Sequence, residues 1–301
     1  MPRRSITGIL RDSYSTVSSV SSGTIKVFLK ANCFNHAAAL SFFTLLSMIP
    51  FIILLIAASG YIAVALGPQF GSIDGLIDII LNAIHRFNVF PDESLRENLN
   101  QVIRARGAIG IFGLLIMLLA ASMVFTALEN SIDAIFEIRD SRKLLLSKLL
   151  FSIFFSALGF ILFVLHYLMT IFDSIVMAAE GVTLDQWLKA NPLFDFFLTF
   201  VPIPAGFLIV IHYFSSVKVR LLPSLSGACF FLFLWEIARS FYAYYVQEIA
   251  KFNILYGSLA SPIVLILWIF YSANILLLSI SFVKVLNERS ERRDAEALAP
   301  W

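Results

Sequence analysis

Apolar residues run almost unbroken over about 36 to 64, 108 to 128, 144 to 172, 196 to 214, 222 to 247 and 256 to 286, and polar residues gather between these runs. At ~1.5 Å per residue each run reaches across ~30 Å of hydrocarbon, the fourth being close to the minimum length. The pattern predicts six transmembrane helices in an all-α, polytopic membrane protein. The stretch 67–107 is too long for a structureless loop and carries two further helical patterns. In the first, Asp74, Asp78 and Asn82 oppose Ile73, Leu76, Ile77, Ile80 and Leu81; in the second, Leu95, Leu99, Val102 and Ile103 follow Pro91-Asp92. Two outer amphipathic helices are therefore predicted, either capping the mouth of a bundle or packed as a plain hairpin. Before the first span, Ile25, Phe28 and Leu29 fall on one side of a helix and Lys26 and Lys30 on the other. That pattern suits an amphipathic N-terminal helix on the inner leaflet with snorkelling lysines.

Basic residues orient the spans. With both termini inside, the inner segments hold fifteen Lys and Arg, clustered at Arg3–Lys30, Arg139–Lys148, Lys218–Arg220 and Lys284–Arg293, against six in the outer segments. Both termini are thus expected in the cytoplasm. The organisation is a tail at 1–24, one membrane domain at 25–288 and a tail at 289–301. Residues 5–24 are rich in Ser and Thr and lack the apolar core of a secretory signal, so the first tail is expected to be retained.

Composition agrees with the pattern. The 301 residues are 59% apolar and 14% charged, against ~45–50% and ~25% for soluble domains. A soluble globule and a disordered chain are excluded. The net charge of +2 gives no basic footprint for nucleic acid. Cys33 and Cys229 lie far apart and near the expected cytoplasmic side, which predicts neither a disulfide nor a cysteine metal site.

Three groups of residues carry a resemblance to a known family. The first is Ala37-Ala38-Ala39-Leu40-Ser41-Phe42-Phe43-Thr44-Leu45-Leu46-Ser47-Met48-Ile49-Pro50. The second is Gly227-Ala228, then Trp235-Glu236, with Phe241 and Tyr244. The third is Tyr256-Gly257-Ser258-Leu259, Pro262 and Trp268-Ile269-Phe270-Tyr271-Ser272. In this order and spacing, over about 30 to 286, the chain resembles the YihY/BrkB family of bacterial inner-membrane proteins, long labelled ribonuclease BN-like. It departs from the family pattern at Asp133 and Phe136, at Ser215-Ser216 and at Ser279-Ile280-Ser281. The resemblance implies a six-helix protein of the bacterial inner membrane and no settled activity.

Charges within the spans are the candidate functional groups. Glu236 and Arg239 fall ~16 and ~21 Å along the fifth span. There an ionised side chain costs at least ~2.5–3.5 kcal/mol and must face protein or water. At i and i+3 they share a face, either as an ion pair that fixes packing or as part of a substrate path. Glu129 and Asp133, one turn apart at the inner end of the second span, repel each other and call for compensation from Arg139, Lys143 or Lys218. They line an inner vestibule or sit solvated at the interface. Asn35 and His36 begin the first span at the same depth. Pro50 and Pro262 are candidate kinks, with Ser47 and Ser261 placed to satisfy the carbonyls freed at Leu46 and Ser258, and Gly257 is a candidate hinge. Gly107, Gly110, Gly113, Ala37 and Ser41 supply small surfaces for close packing. His85, His166 and His212 have no partner at a metal-ligand spacing and are expected to make packing hydrogen bonds. No zinc, phosphate-loop, nucleophile-elbow or dinucleotide motif occurs, so no catalytic residue, metal or cofactor is expected.

The leading expectation is a transporter or exporter of an envelope-related metabolite or lipid, with the bilayer as partner, no nucleic acid, and room for a homo-oligomer. The alternatives are a non-catalytic envelope scaffold and, less favoured, the ribonuclease of the family's label.

Overall fold

Hydrocarbon offers backbone N–H and C=O groups no partner, so an apolar chain crossing it must satisfy them internally, and a helix does so residue by residue. The computed structural model describes residues 6–66, 106–138, 200–215, 217–249 and 260–298. Within them lie α1 (Ile6–Lys30), α2 (Cys33–Leu66), α3 (Arg106–Phe136), α4 (Pro202–Phe214), α5 (Leu221–Ile249) and α6 (Ala260–Leu298), with no strand among the described residues. Cys33–Ile53, Leu115–Phe136, Leu221–Tyr245 and Ile263–Ala297 are long and apolar enough to cross a membrane, and α4 is a shorter apolar helix. The chain is an all-helical, polytopic membrane protein. The expected third span and both outer amphipathic helices lie outside the described residues.

Helix α2 packs along α3, and α6 lies against α5, α2 and α1, while α4 sits on α5. One core joins Cys33, Ala37 and Leu40 of α2 with Ala127, Leu128, Ile132 and Ile135 of α3, Phe207 and Ile211 of α4, Phe231 of α5 and Leu277, Ile280 and Val283 of α6. Ala37 and Ser41 are buried, as expected of small packing residues, whereas the space beside Gly113 is open. Buried hydroxyls cost little here because each donates to the carbonyl one turn back: Ser41 to Ala37, Ser131 to Ala127 and Ser281 to Leu277, at 2.6, 2.6 and 2.8 Å. Large apolar side chains such as Phe42 and Ile49 of α2, Leu115 and Leu119 of α3, Phe233 of α5 and Ile263 of α6 face outward. In a bilayer that surface meets lipid.

Helix α1 differs from the expectation in extent and in the face it uses. It begins at Ile6, well before residue 25, and its Val20-Thr24-Phe28 stripe is buried while Ile25 and Leu29 are exposed. Gly23 meets Val285, and the Arg289 guanidinium donates to Ser19 Oγ, so the two helices run antiparallel. The cause lies in α6, which has 39 residues, ~58 Å, far more than ~30 Å of hydrocarbon requires. Its polar continuation gives α1 a wall to pack on. The chain turns from α1 into α2 at Asn32, whose φ of 50° suits an asparagine, and whose carbonyl accepts the N–H groups of Asn35 and His36.

Gly227 sets the distance between α5 and α6, because a Cβ there would overlap Val283 Cγ2 and crowd Phe207. Gly227→Ala should therefore destabilise the bundle by ~1–3 kcal/mol, the usual range for overpacking. Val283→Ala in the same chain should restore most of that loss. Thermal unfolding in detergent of the two single variants and the double variant checks this.

Candidate functional site

The inner end of α3 carries the most connected polar group. The helix ends at Glu137, which has φ 59°. The N–H groups of Glu137 and Ile138 return to the carbonyls of Ala134 and Asp133, a Schellman closure made without glycine. This turn directs the Glu137 carboxylate at two helices. Its Oε1 accepts Lys284 Nζ of α6 at 2.9 Å and Lys30 Nζ of α1 at 3.1 Å. Lys284 is buried, and the second carboxylate near it, Glu288, stands 3.7 Å away. The two ammonium groups, Lys284 first, pull the Glu137 carboxyl down to about 2. Nearby, the Arg220 backbone N–H donates to Asn287 Oδ1 at 3.1 Å, and its guanidinium reaches Ser290 and Asp294. Polar contacts thus tie the end of α6 to α1, α3 and α5. Glu137 is not among the residues that the sequence singles out. The legible signal was Lys284, a lone cation at the end of an apolar run that needs a carboxylate at its own depth.

Glu129 and Asp133 are both buried, with 2% and 7% of their surface exposed. Of the two expectations, solvation at the interface is excluded, and the pair belongs to the interior. Tyr213 of α4 lies within electrostatic range of Glu129, and Phe125, one turn before Glu129, stacks on Phe214 at 5.6 Å. Lys218 is exposed, while Arg139 and Lys143 lie outside the described residues. His36 is half-buried and Asn35 is exposed, on a helix that packs along α3.

Glu236 and Arg239 form the expected ion pair, Oε2 to Nη2, at 2.9 Å. The guanidinium side chain is 57% exposed and the carboxylate side chain 27%. Glu236 Oε1 is itself buried and has no hydrogen-bond partner. The pair is therefore neither enclosed by protein nor saturated.

The opposite flank of α5 forms a different feature. There a groove of about 490 Å³ runs between α5 and α6, lined by Ala238, Phe241, Tyr242, Tyr245, Trp268 and Tyr271 among others. At about 3.6 residues per turn, Ala238, Phe241 and Tyr245 share a face that Glu236 and Arg239 do not. The ion pair does not line the groove.

Helix α2 runs unbroken through Pro50, and the Ser47 hydroxyl donates to Thr44 O at 2.8 Å, not to Leu46 as expected. A helical serine reaches back three or four residues, and the carbonyl of its immediate predecessor points away from it. Pro262 is the third residue of α6, and Gly257 lies outside the described residues. His212 makes the expected packing bond, donating from Nδ1 to Leu208 O at 3.1 Å. His85 and His166 lie outside the described residues. Cys33 and Cys229 are unpaired.

The family model described as Virulence factor BrkB matches residues 24–300. A UPF0761 membrane protein of Chlorobium luteolum is 24% identical over 258 residues, 85% of this chain and 57% of its own length. A Bacillus subtilis protein named "Putative ribonuclease-like protein YfkH" is 23% identical over 269 residues, 86% of this chain and 92% of its own. A UPF0761 membrane protein of Vibrio parahaemolyticus is 23% identical over 259 residues, 84% of this chain and 77% of its own. The chain spans little more than half the length of the first of these relatives. No solved structure matches.

Two predictions follow from the charges. Unfolded, Glu137 takes up its proton near the ordinary 4.5; folded, it does so only near 2. The bridge therefore contributes fully above pH 4.5, and its contribution is lost as pH falls from there towards 2. The stability difference between wild type and Glu137→Gln should be constant at neutral pH and vanish in acid, as read by unfolding across that range. For the second pair, Glu236→Leu alone leaves Arg239 uncompensated at membrane depth and should lower the amount of inserted protein. Adding Arg239→Met should restore it, measured by quantitative blotting of membranes.

Proposed function

This chain belongs to the Virulence factor BrkB family, and from that membership we propose an integral inner-membrane transporter or exporter of an envelope-related metabolite or lipid, with both termini in the cytoplasm. The observation that carries the reading is the open Glu236–Arg239 pair within a membrane-spanning helix. A pair kept only to fix packing gains most when protein encloses it and every lone pair is filled. This one leaves a guanidinium accessible and a carboxylate oxygen unfilled, at a depth where each charge costs ~2.5–3.5 kcal/mol. The arrangement suits a substrate with an anionic group for Arg239 and a donor for Glu236.

The orientation is supported by Lys30, Arg220 and Lys284, which meet at one end of the bundle as the positive-inside pattern requires. The reading is non-enzymatic. The ribonuclease-like name belongs to the Bacillus relative. Among the described residues the best-placed cations serve packing, Lys30 and Lys284 pairing with Glu137 and Arg220 with Asp294.

Glu236→Gln keeps the volume and removes the charge. In a deletion strain, compared with wild type at matched membrane abundance, it should fail to restore the distribution of the transported compound among cytosol, membrane and medium. Full restoration by an abundant Glu236→Gln protein would sink the proposal.

A further inference from the structure

We propose that the groove between α5 and α6 is a binding site for one acyl chain of a membrane lipid, separate from the ion-pair flank. The groove lies within the two membrane-spanning stretches Leu221–Tyr245 and Ile263–Ala297. Its volume, about 490 Å³, falls in the ~300–1,000 Å³ range of small-molecule sites. The walls are rigid rings locked on one another: Trp268 packs on Tyr242 at 4.4 Å and on Trp235 at 5.2 Å. The shape therefore does not depend on an occupant.

A concavity of that size at membrane depth does not stay empty, because the rings lining it would forfeit their dispersion contacts. Its lining is apolar apart from tyrosine hydroxyls and the Trp268 indole N–H, which leaves little to hold water. The occupant is therefore hydrocarbon. A second copy of the chain would need a matching ridge, and among the described residues large outward apolar side chains are instead spread over α2, α3, α5 and α6, as on a surface wetted by lipid. Tyr271 and Tyr245, exposed at the rim, give the chain's polar end a hydrogen-bonding neighbourhood. Because this flank of α5 is not the one bearing Glu236 and Arg239, the site stands whether or not the transport reading does.

Trp268 is a built-in reporter. In the full chain carrying Trp187→Phe, Trp235→Phe and Trp301→Phe, purified in detergent, a lysophosphatidylcholine brominated along its acyl chain should quench Trp268 emission. Quenching should saturate at one probe per chain, and the unbrominated lipid should compete. Ala238→Phe, which fills the groove, and Tyr271→Ala, which removes part of its rim, should each weaken the effect at least fivefold. If Ala238→Phe does not fold, Tyr271→Ala carries the test. Quenching that rises without saturation and is equal in the variants means simple partitioning and overturns the proposal. So does a Tyr271→Cys chain that forms disulfide-linked dimers in membranes, or one that cross-links to the 144–172 segment, since protein would then occupy the groove.

Discussion

Inside a bilayer, helices gain nothing by hiding apolar faces from one another, since lipid tails are as apolar as leucine, so association rests on how closely the surfaces interlock. The contact of Val283 with Gly227 is where this constraint acts most directly. It brings α6 against α5 and holds Phe207 of α4 in the same place. From that seam α6 also reaches α2 and α3 through Leu277 and Ile280. The same helix thus belongs to the apolar core along one stretch, to the groove wall along another, and to the polar junction at its end. The buried serines follow the same logic, lying close to neighbouring helices because each hydroxyl is satisfied within its own helix.

Polar chemistry is distributed unevenly along the bundle. At one end, ammonium, guanidinium and carboxylate groups are paired across helices: Lys284 and Lys30 with Glu137, and Arg220 with Asp294. Deeper in the membrane, Glu236 and Arg239 pair within a single helix and, among the described residues, form no ion pair to another helix. The first set fixes architecture, because losing one member would loosen several elements at once. The second is left over once the architecture is explained, which is why it carries the functional reading.

Much of the fold was legible in the chain, because a span is encoded by an uninterrupted stretch of apolar residues and needs no knowledge of its neighbours. The Glu236–Arg239 pairing was equally accessible, being a matter of helical spacing. What escaped were relations between helices. Ile25, Phe28 and Leu29 looked like one apolar face because amphipathicity was judged against a flat bilayer. The partner was α6, whose continuation beyond the membrane set a different inward stripe through Val20, Thr24 and Phe28. Glu129 and Asp133 looked interfacial by position, and only the packing of α3 against its neighbours shows them buried. The role of Glu137 depends on a left-handed turn at a residue that does not favour one. The groove arises from the facing of α5 and α6, which neither helix announces alone.

Helix α6 contains no glycine, its single proline is its third residue, and the Ser272, Ser279 and Ser281 hydroxyls bond one turn back without interrupting it, so it runs as one helix from Pro262 onward. Such a rod acts as a lever. If it pivots by ~5° about its midpoint, each end of a ~58 Å helix swings ~2.5 Å in opposite directions. The swing at the charged end is comparable to the length of the Lys284–Glu137 hydrogen bond. Any rigid tilt of α6 beside Trp268 is thereby matched by an opposite displacement among the lysines at the far end, with no intervening chain of rearrangements.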